Sequence, residues 1–409
     1  MRIGFVISVY PPEPEPSSVM AQQLVRAWAE RGHEVVVICP FPNRPCGKLY
    51  PGFRKRLWST TTVAGVRTIR VLSSFIGEAR HPIKRVLENL SFGLSSSLAL
   101  LLLKKRDVVI LETWPLLAQG LGAMVCLIKK TRWINYIKDI YPEAASSAHF
   151  IDRNSRAHNW LLRLDKKLCH SSSKNIVISD GMRRYLESSR GLSGGQISVI
   201  NDWIDLDEIK PYVGNKRWRR EVGLREQDFV CLYAGTLGYA SRASVLVEVA
   251  VRLKERLDIK LVCIGEGILK PEMQARAQQL GLKNLLFLPF QPRERVPEVQ
   301  SSADVLLLTT SSDMSVSSVP NKFITYLAVG RPVICAVDSD SDIAEVIREN
   351  ALGRVVKPES AEELCRAILE LQATGPRQLG EMGVRARKVA EERFSLSAAI
   401  EKFESILSA

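Results

Sequence analysis

The sequence predicts an α/β protein of two doubly wound parallel-sheet domains facing each other across a cleft. Three observations carry that prediction. The chain has 409 residues, more than one ordinary hydrophobic core accommodates. Short, apolar, β-branched runs alternate with helical stretches from end to end, the pattern of a parallel sheet covered on both faces. The alternation also restarts past the middle, after WIDLDEIKPYVGNKR (203–217), which reads as a linker. Apolar residues make up 46% and charged residues 25%, which suits a globular chain and excludes a disordered one.

In the first half, RIGFVISVY (2–10) reads as a strand and MAQQLVRAWAERG (20–32) as an amphipathic helix stopped by Gly32. HEVVVICP (33–40) is the second strand. DVVILE (107–112), WINYIKD (133–139), NIVIS (175–179) and ISVIN (197–201) continue the sheet. LSSSLALLLL (94–103) is the most apolar helix candidate. Its ten residues fall short of the roughly 20 that a bilayer span needs, so no transmembrane helix is expected. In the second half, FVCLYAGTL (229–237) is a strand entering a glycine loop, 241–256 is a helix, and IKLVCIGEG (259–267) is a second strand and glycine loop. LLFLPF (285–290), DVLLLT (304–309), PVICAV (332–337) and GRVVK (353–357) follow as strands. A long helical pattern over 377–407 breaks near 392–399. The expected domains are 1–205 and 206–391, with the terminal helix, about 392–409, packing back on the first.

Charge is placed unevenly. Residues 1–205 hold 29 Lys and Arg against 16 Asp and Glu, and the remainder holds 28 of each, so the first half carries the entire net charge of +13. That asymmetry points to an anionic partner for the first half. Zinc-finger, RNA-binding-strand and aromatic–basic patterns are missing, which argues against nucleic acid. An anionic membrane face fits better. RKR (54–56), KR (84–85), KKR (104–106) and KK (129–130) bracket the apolar stretch 86–103. The eight cysteines form no C-x-x-C and sit mostly in apolar runs, as in a reducing compartment. The N-terminus starts on a strand pattern, so no signal peptide is expected.

The first strand runs into YPPEPEPSS rather than G-x-G-x-x-G, which lacks the glycines that a dinucleotide pyrophosphate needs. P-loop, H-E-x-x-H, G-x-S-x-G and Cys–His nucleophile patterns are missing too. Phosphate-binding features lie in the second half instead. GTLG (235–238), GEG (265–267) followed by Lys270, and SSVPN (317–321) each stand between a strand and a helix. Helix N-termini offer unpaired N–H groups and the positive end of a dipole. Three such termini, with Lys322 and Arg242 nearby, suit a nucleoside diphosphate held by backbone and two cations. Pro320 pre-sets the start of its helix. A cation at Lys322 opposes the helix dipole, a conflict that a bound anion relieves.

On YAGTLGY (233–239), CIGEGILK (263–270), FLPFQPRERVPEVQSSADVLLL (287–308) and VPNKFITYLAVGRPVI (319–334), the chain resembles retaining glycosyltransferase family 4, which has the GT-B fold. RIGFVISVYPP and LVRAWAERGHEVVVIC also look like the family's opening. Closest in appearance is the bacterial O-antigen, capsule and exopolysaccharide branch, including N-acetyl-L-fucosaminyltransferase-like enzymes. The resemblance implies transfer, with retention, of a sugar such as an N-acetylated amino sugar from a nucleoside-diphosphate sugar, a UDP-sugar foremost. It implies that Gly235 and Gly238 border the diphosphate, and that Gly265, Glu266, Gly267 and Lys270 lie along the nucleotide. Leu288 and Pro289 would hold the base. Val316, Ser317, Ser318, Val319 and Asn321 would cradle the distal phosphate and sugar, with Lys322 behind them.

Three departures from the family stand out. Its two glutamates, eight positions apart, are Ser317 and Thr325 here. The Arg of its first glycine loop is Thr236, and the Lys partner falls at Ser241 or Arg242, with Arg242 favoured. Its His-Asp appears as Lys138-Asp139, as in the amino-sugar branch. Asp139 is expected to bind a donor or acceptor hydroxyl, with Glu143 and Glu112 as further carboxylates. The resemblance implies no metal or other cofactor, because cations and helix termini neutralise the leaving diphosphate. It implies a polyprenyl-diphosphate-linked glycan as acceptor and a cytoplasmic chain bound peripherally to the inner face of the membrane. Two other readings remain: a UDP-sugar 2-epimerase of the same fold, and a non-catalytic sugar-nucleotide-binding subunit, which the missing glutamates suggest.

Overall fold

The computed structural model describes residues 1–44, 47–54, 56–74, 82–113, 115–147, 150–212, 217–311 and 319–409. It divides into two units, Met1–Asn201 with Ile400–Ala409, and Asp202–Ala399. These limits differ by a few residues from 205/206 and 391/392. The segment expected to be a linker is part of the second unit, because its apolar side chains find a core. Ile209 and Trp218 belong to that core, Ile204 and Leu206 pack on it, and the Ile204 N–H donates to the Phe394 carbonyl at 3.1 Å.

The first unit holds β1 (Arg2–Val6), β2 (Glu34–Pro40), β3 (Trp58–Val63), β4 (Val66–Val71), β5 (Val108–Glu112), β6 (Arg132–Ile137), β7 (Lys174–Val177) and β8 (Ile197–Val199). They form one sheet in the order β3-β4-β2-β1-β5-β6-β7-β8, parallel except for the β3–β4 hairpin. That hairpin was not anticipated. Its outer strand, WSTTTV, is polar and largely exposed, so it lacks the apolar run that marks a buried strand. Its turn, Ala64-Gly65, has positive φ at both residues, as a two-residue hairpin favours.

The second unit holds β9 (Phe229–Ala234), β10 (Ile259–Ile264), β11 (Leu285–Leu288), β12 (Val305–Thr309), β13 (Val333–Ala336) and β14 (Gly353–Val356), all parallel. Their order is β11-β10-β9-β12-β13-β14, so the chain reverses direction of travel between β9 and β12. In such sheets the crevice at that switch point, beyond the carboxyl ends of the strands, is where ligands bind. The two faces of β9 feed different cores, as alternation demands. Val230 and Leu232 join the helix Asn321–Ala328, while Cys231 and Tyr233 join the helix Val245–Arg252.

The apolar helix candidate 94–103 is the end of a longer helix, Pro82–Leu102. No helix among the described residues is long and apolar enough to cross a membrane. The C-terminal pattern resolves into Pro376–Arg393 and Leu396–Ser408. From Ile400 onward the last helix belongs to the first unit, where Phe403 meets Trp28 and Tyr136 edge-on at 5.5 and 5.6 Å. Seven cysteines among the described residues are buried and unpaired.

Candidate functional site

The switch point of the second sheet is built around one lysine. Strand β9 ends at Ala234, and the backbone leaves it through Gly235 at φ +152°. Lys322 stands at the second position of the helix Asn321–Ala328, whose N-cap is Pro320. A Cβ on Gly235 would lie 3.0 Å from Lys322 Nζ and 3.3 Å from its Cε, so the glycine leaves the space that the lysine fills. The ammonium donates to Tyr233 Oη at 2.9 Å and lies 4.6 Å from the centre of that ring. Tyr326, fully buried on the same helix, accepts from the Ala234 N–H at 2.9 Å and donates to the Ala234 carbonyl at 3.2 Å, which fastens the helix to the end of β9. Among the described residues no carboxylate pairs with Lys322. Desolvation lowers its amine to a pKa of about 8.

The glycine loops have a structural reason of their own. A Cβ on Gly265 would stand 2.0 Å from the Gly235 carbonyl oxygen, and one on Gly267 would stand 2.3 Å from that of Leu237. The Gly235 N–H donates to Ile264 O and the Leu237 N–H to Glu266 O, each at 2.9 Å. These two glycines therefore let the loop after β10 lie flat on the loop after β9. The Gly238 N–H is engaged by Ser241 Oγ at 3.2 Å, while Thr236 is exposed.

Several residues expected to meet a nucleotide already have partners. Lys270 forms an ion pair with Glu266 at 2.7 Å, so its charge is matched within its own loop. Arg242 also has a carboxylate partner. A short 3₁₀ turn, Tyr239–Ser241, leaves Arg242 in the left-handed region, and its guanidinium faces Glu359 at 3.4 Å. The Leu288 carbonyl accepts from the Gly265 N–H at 3.1 Å, and the carbonyl of the exposed Pro289 accepts from Gln291 at 3.0 Å. Val319 is buried, and the Asn321 carbonyl accepts from the Thr325 hydroxyl at 3.0 Å, a bond within their own helix. Val316, Ser317 and Ser318 lie outside the described residues.

In the first unit Asp139 is exposed just beyond β6. Lys138 Nζ lies 4.0 Å from Met20 Sδ and 5.1 Å from the centre of the Tyr136 ring, on the edge of the core. Glu112 is buried at the end of β5. Glu143, expected as a further carboxylate of the site, is engaged by a buried arginine. Its two oxygens each accept from Arg190 at 2.8 Å, and one also accepts from Tyr185 at 2.8 Å. Burial pushes the Glu143 carboxyl up, and Arg190 outweighs that and holds it below its ordinary value. The same buried guanidinium bonds Asp165 at 2.7 Å. A cavity of about 460 Å³ opens at the opposite, amino-terminal edge of the second sheet. Its Asp304 and Asp228 are already bonded to Arg219 and Arg225, and no feature of the Lys322 site reaches it.

Sequence reasoning missed Tyr233 and Tyr326. The available signal was an aromatic residue one position before the strand end in CLYAG, and another one turn into the facing helix.

Comparison with known proteins covers both units. Residues 214–389 match the family model described as Glycosyl transferases group 1, and residues 17–208 match Glycosyltransferase Family 4. An Escherichia coli (strain K12) protein named as the colanic acid biosynthesis glycosyl transferase WcaI is 21% identical over 367 residues, 88% of this chain and 89% of its own. A Pseudomonas aeruginosa protein named as the glycosyltransferase WbjE is 22% identical over 302 residues, covering 72% and 70%. Anabaena Alr3699/HepE in complex with UDP matches the fold at a TM-score of 0.69 and 15% identity, covering 100% of both chains. WaaG, a glycosyltransferase involved in lipopolysaccharide biosynthesis, matches at 0.65 and 16%, again over 100% of both. The chain is thus a glycosyltransferase of GT-B fold, a Family 4 domain over 17–208 followed by a group 1 domain over 214–389.

Proposed function

We propose that this chain transfers a sugar, with retention and without a metal, from a UDP-sugar to a lipid-linked glycan in the synthesis of a bacterial surface polysaccharide. The observation that carries the donor half is Lys322. It is a partly desolvated ammonium at the switch point of the second sheet, tied to a neutral phenol and to no carboxylate among the described residues. Such a group lacks its counter-charge until an anion arrives. A diphosphate leaving group develops charge during transfer, and a preorganised cation stabilises it. The uridine assignment leans on the UDP and UDP-glucose complexes of HepE, and the polysaccharide assignment on the names of the relatives.

The acceptor half leans on a surface. Leu87, Leu94, Leu98 and Leu102 are exposed along the helix Pro82–Leu102, and Met124, Leu127 and Ile128 are exposed on the helix Leu116–Ile128. The two helices pack closely: a Cβ on Gly93 would stand 2.8 Å from Ala118 Cα. Lys129 caps the end of the first helix, donating to Leu100 and Leu101 carbonyls at 3.2 and 2.8 Å, so the two helix ends meet there. Exposed Lys104, Lys105 and Lys130 rim that end. An apolar patch edged with cations suits an anionic lipid surface, where a polyprenyl-linked acceptor resides.

The test is a thermal-shift panel of UDP-, GDP- and dTDP-sugars, since a ligand of the native state raises Tm by mass action. UDP-sugars are expected to give the largest shift, undiminished by a chelator. Lys322→Ala is expected to weaken UDP binding at least ~tenfold, or about 1.4 kcal/mol. Undiminished binding by the variant removes Lys322 from the site.

A further inference from the structure

The phenol beneath Lys322 has a defined hydrogen-bond polarity. Tyr233 Oη donates its single proton to the Thr236 carbonyl at 2.9 Å, so it meets Lys322 Nζ as an acceptor. One end of the tyrosine is therefore committed to the loop after β9 and the other to the helix Asn321–Ala328. An ammonium has three protons. One points to Tyr233, and the other two have no acceptor among the described residues. Gly235 leaves room for Nζ where it stands: a Cβ there would lie 3.0 Å from it and press the ammonium aside.

We infer that Tyr233 is a positioning residue for donor binding, holding the Lys322 ammonium in its charged form with two protons free for diphosphate oxygens. The inference rests on the donor-site reading given above and extends it to a residue that touches no substrate. The group works in nearly apolar surroundings. The titratable groups around the two tyrosines are Cys263 of β10, Cys335 of β13 and Tyr326 itself, on the helix of Lys322. Burial pushes all three up, Cys263 to about 12, so each is neutral at working pH. Tyr233 itself is pushed up to about 12 and stays a phenol. No neighbouring anion substitutes for Tyr233 as acceptor among the described residues. Its hydrogen bond and the face of its ring are what offset the desolvation of the lysine.

The consequence is readable in UDP binding against pH. The terminal phosphate of UDP is largely ionised above about pH 7.5, and its uracil N3–H stays mostly protonated up to about pH 9, so an alkaline loss of affinity between those limits reports the protein. Affinity is expected to fall above pH 8, as Lys322 deprotonates. Tyr233→Phe keeps the ring and removes the acceptor. Its alkaline limb is expected to move down by about half a pH unit or more, because the charged amine loses a hydrogen bond that favoured it. Lys322→Ala is expected to bind weakly and without that limb. Calorimetry of UDP binding from about pH 7.5 to about pH 9 on the three proteins, each checked for an unchanged fold by Tm at the lower pH, decides. Coincident limbs for Tyr233→Phe and wild type overturn the role of Tyr233, as does a limb that survives in Lys322→Ala. Full-strength UDP binding by Lys322→Ala overturns the donor-site reading itself, which keeps the two failures apart.

Discussion

At Gly265 the backbone of one loop rests against the backbone of the next, and a methyl group there would overlap the Gly235 carbonyl oxygen at 2.0 Å. The obstacle is main chain in a paired sheet, which has no rotamer to change. Gly265→Ala must therefore separate the two loops, which displaces Gly235 from beneath Lys322. A loss of about 1–3 kcal/mol in urea unfolding is expected, with weaker UDP binding. Gly238→Ala is the control: the nearest atom is Thr236 Cγ2 at 3.7 Å, so stability should change by less than about 0.5 kcal/mol. If both variants unfold at the same urea concentration as the parent, the loops are not packed as described. The same comparison explains what the sequence could reveal at this scale. Glycine after a strand was legible, but its partner was not, because Gly235 and Gly265 are brought together by the register of β9 and β10. The engagement of Glu143 was illegible for the same reason: Arg190, which pairs with it, lies 47 positions away.

Among the elements, the last helix binds to a unit that the chain left at residue 201. Arg132, at the start of β6, donates to the carbonyls of Ile406 and Leu407 at 2.5 and 3.0 Å, which satisfies the open end of Leu396–Ser408. His33 approaches Glu404 at 3.2 Å, and Phe403 fills the space between Trp28 and Tyr136. Phe403→Ala removes a fully buried ring from that contact, and a loss of about 3–5 kcal/mol is expected. Hydrogen exchange should locate the added opening in the first sheet and the final helix. Exchange unchanged in Trp28 and Tyr136 would show that the helix does not brace them. Central strands were readable from sequence because parallel strands buried on both faces are unbroken apolar runs, as in VVVIC and LVCI. The β3–β4 hairpin was not, because an exposed edge alternates weakly and its polar threonines resemble loop. The break near Phe394 was readable, whereas the destination of the helix beyond it depends on an aromatic cluster assembled from three distant segments.

For the whole molecule the governing asymmetry is electrostatic: residues 1–205 carry a net +13 and the remainder none. A long-range field of that kind steers encounter with an anionic surface but does not hold it. Each lysine near a lipid face contributes only about 1 kcal/mol, and salt screens it. Retention needs apolar contact, and the exposed leucines supply it at about 25 cal/mol per Å² removed from water. The two contributions separate experimentally. In vesicle sedimentation at about 0.1 M salt, where the Debye length is about 10 Å, the protein is expected to bind phosphatidylglycerol-containing vesicles and to leave pure phosphatidylcholine largely unbound. Raising salt should release it progressively. Leu94→Glu with Leu98→Glu places two carboxylates on side chains that are 63% and 49% exposed, so Tm should hold while vesicle binding falls at least ~tenfold. If the double variant sediments like the parent, the leucine face is not the contact. If the parent ignores anionic vesicles altogether, the excess charge serves another anion, and the acceptor must reach the enzyme without its membrane.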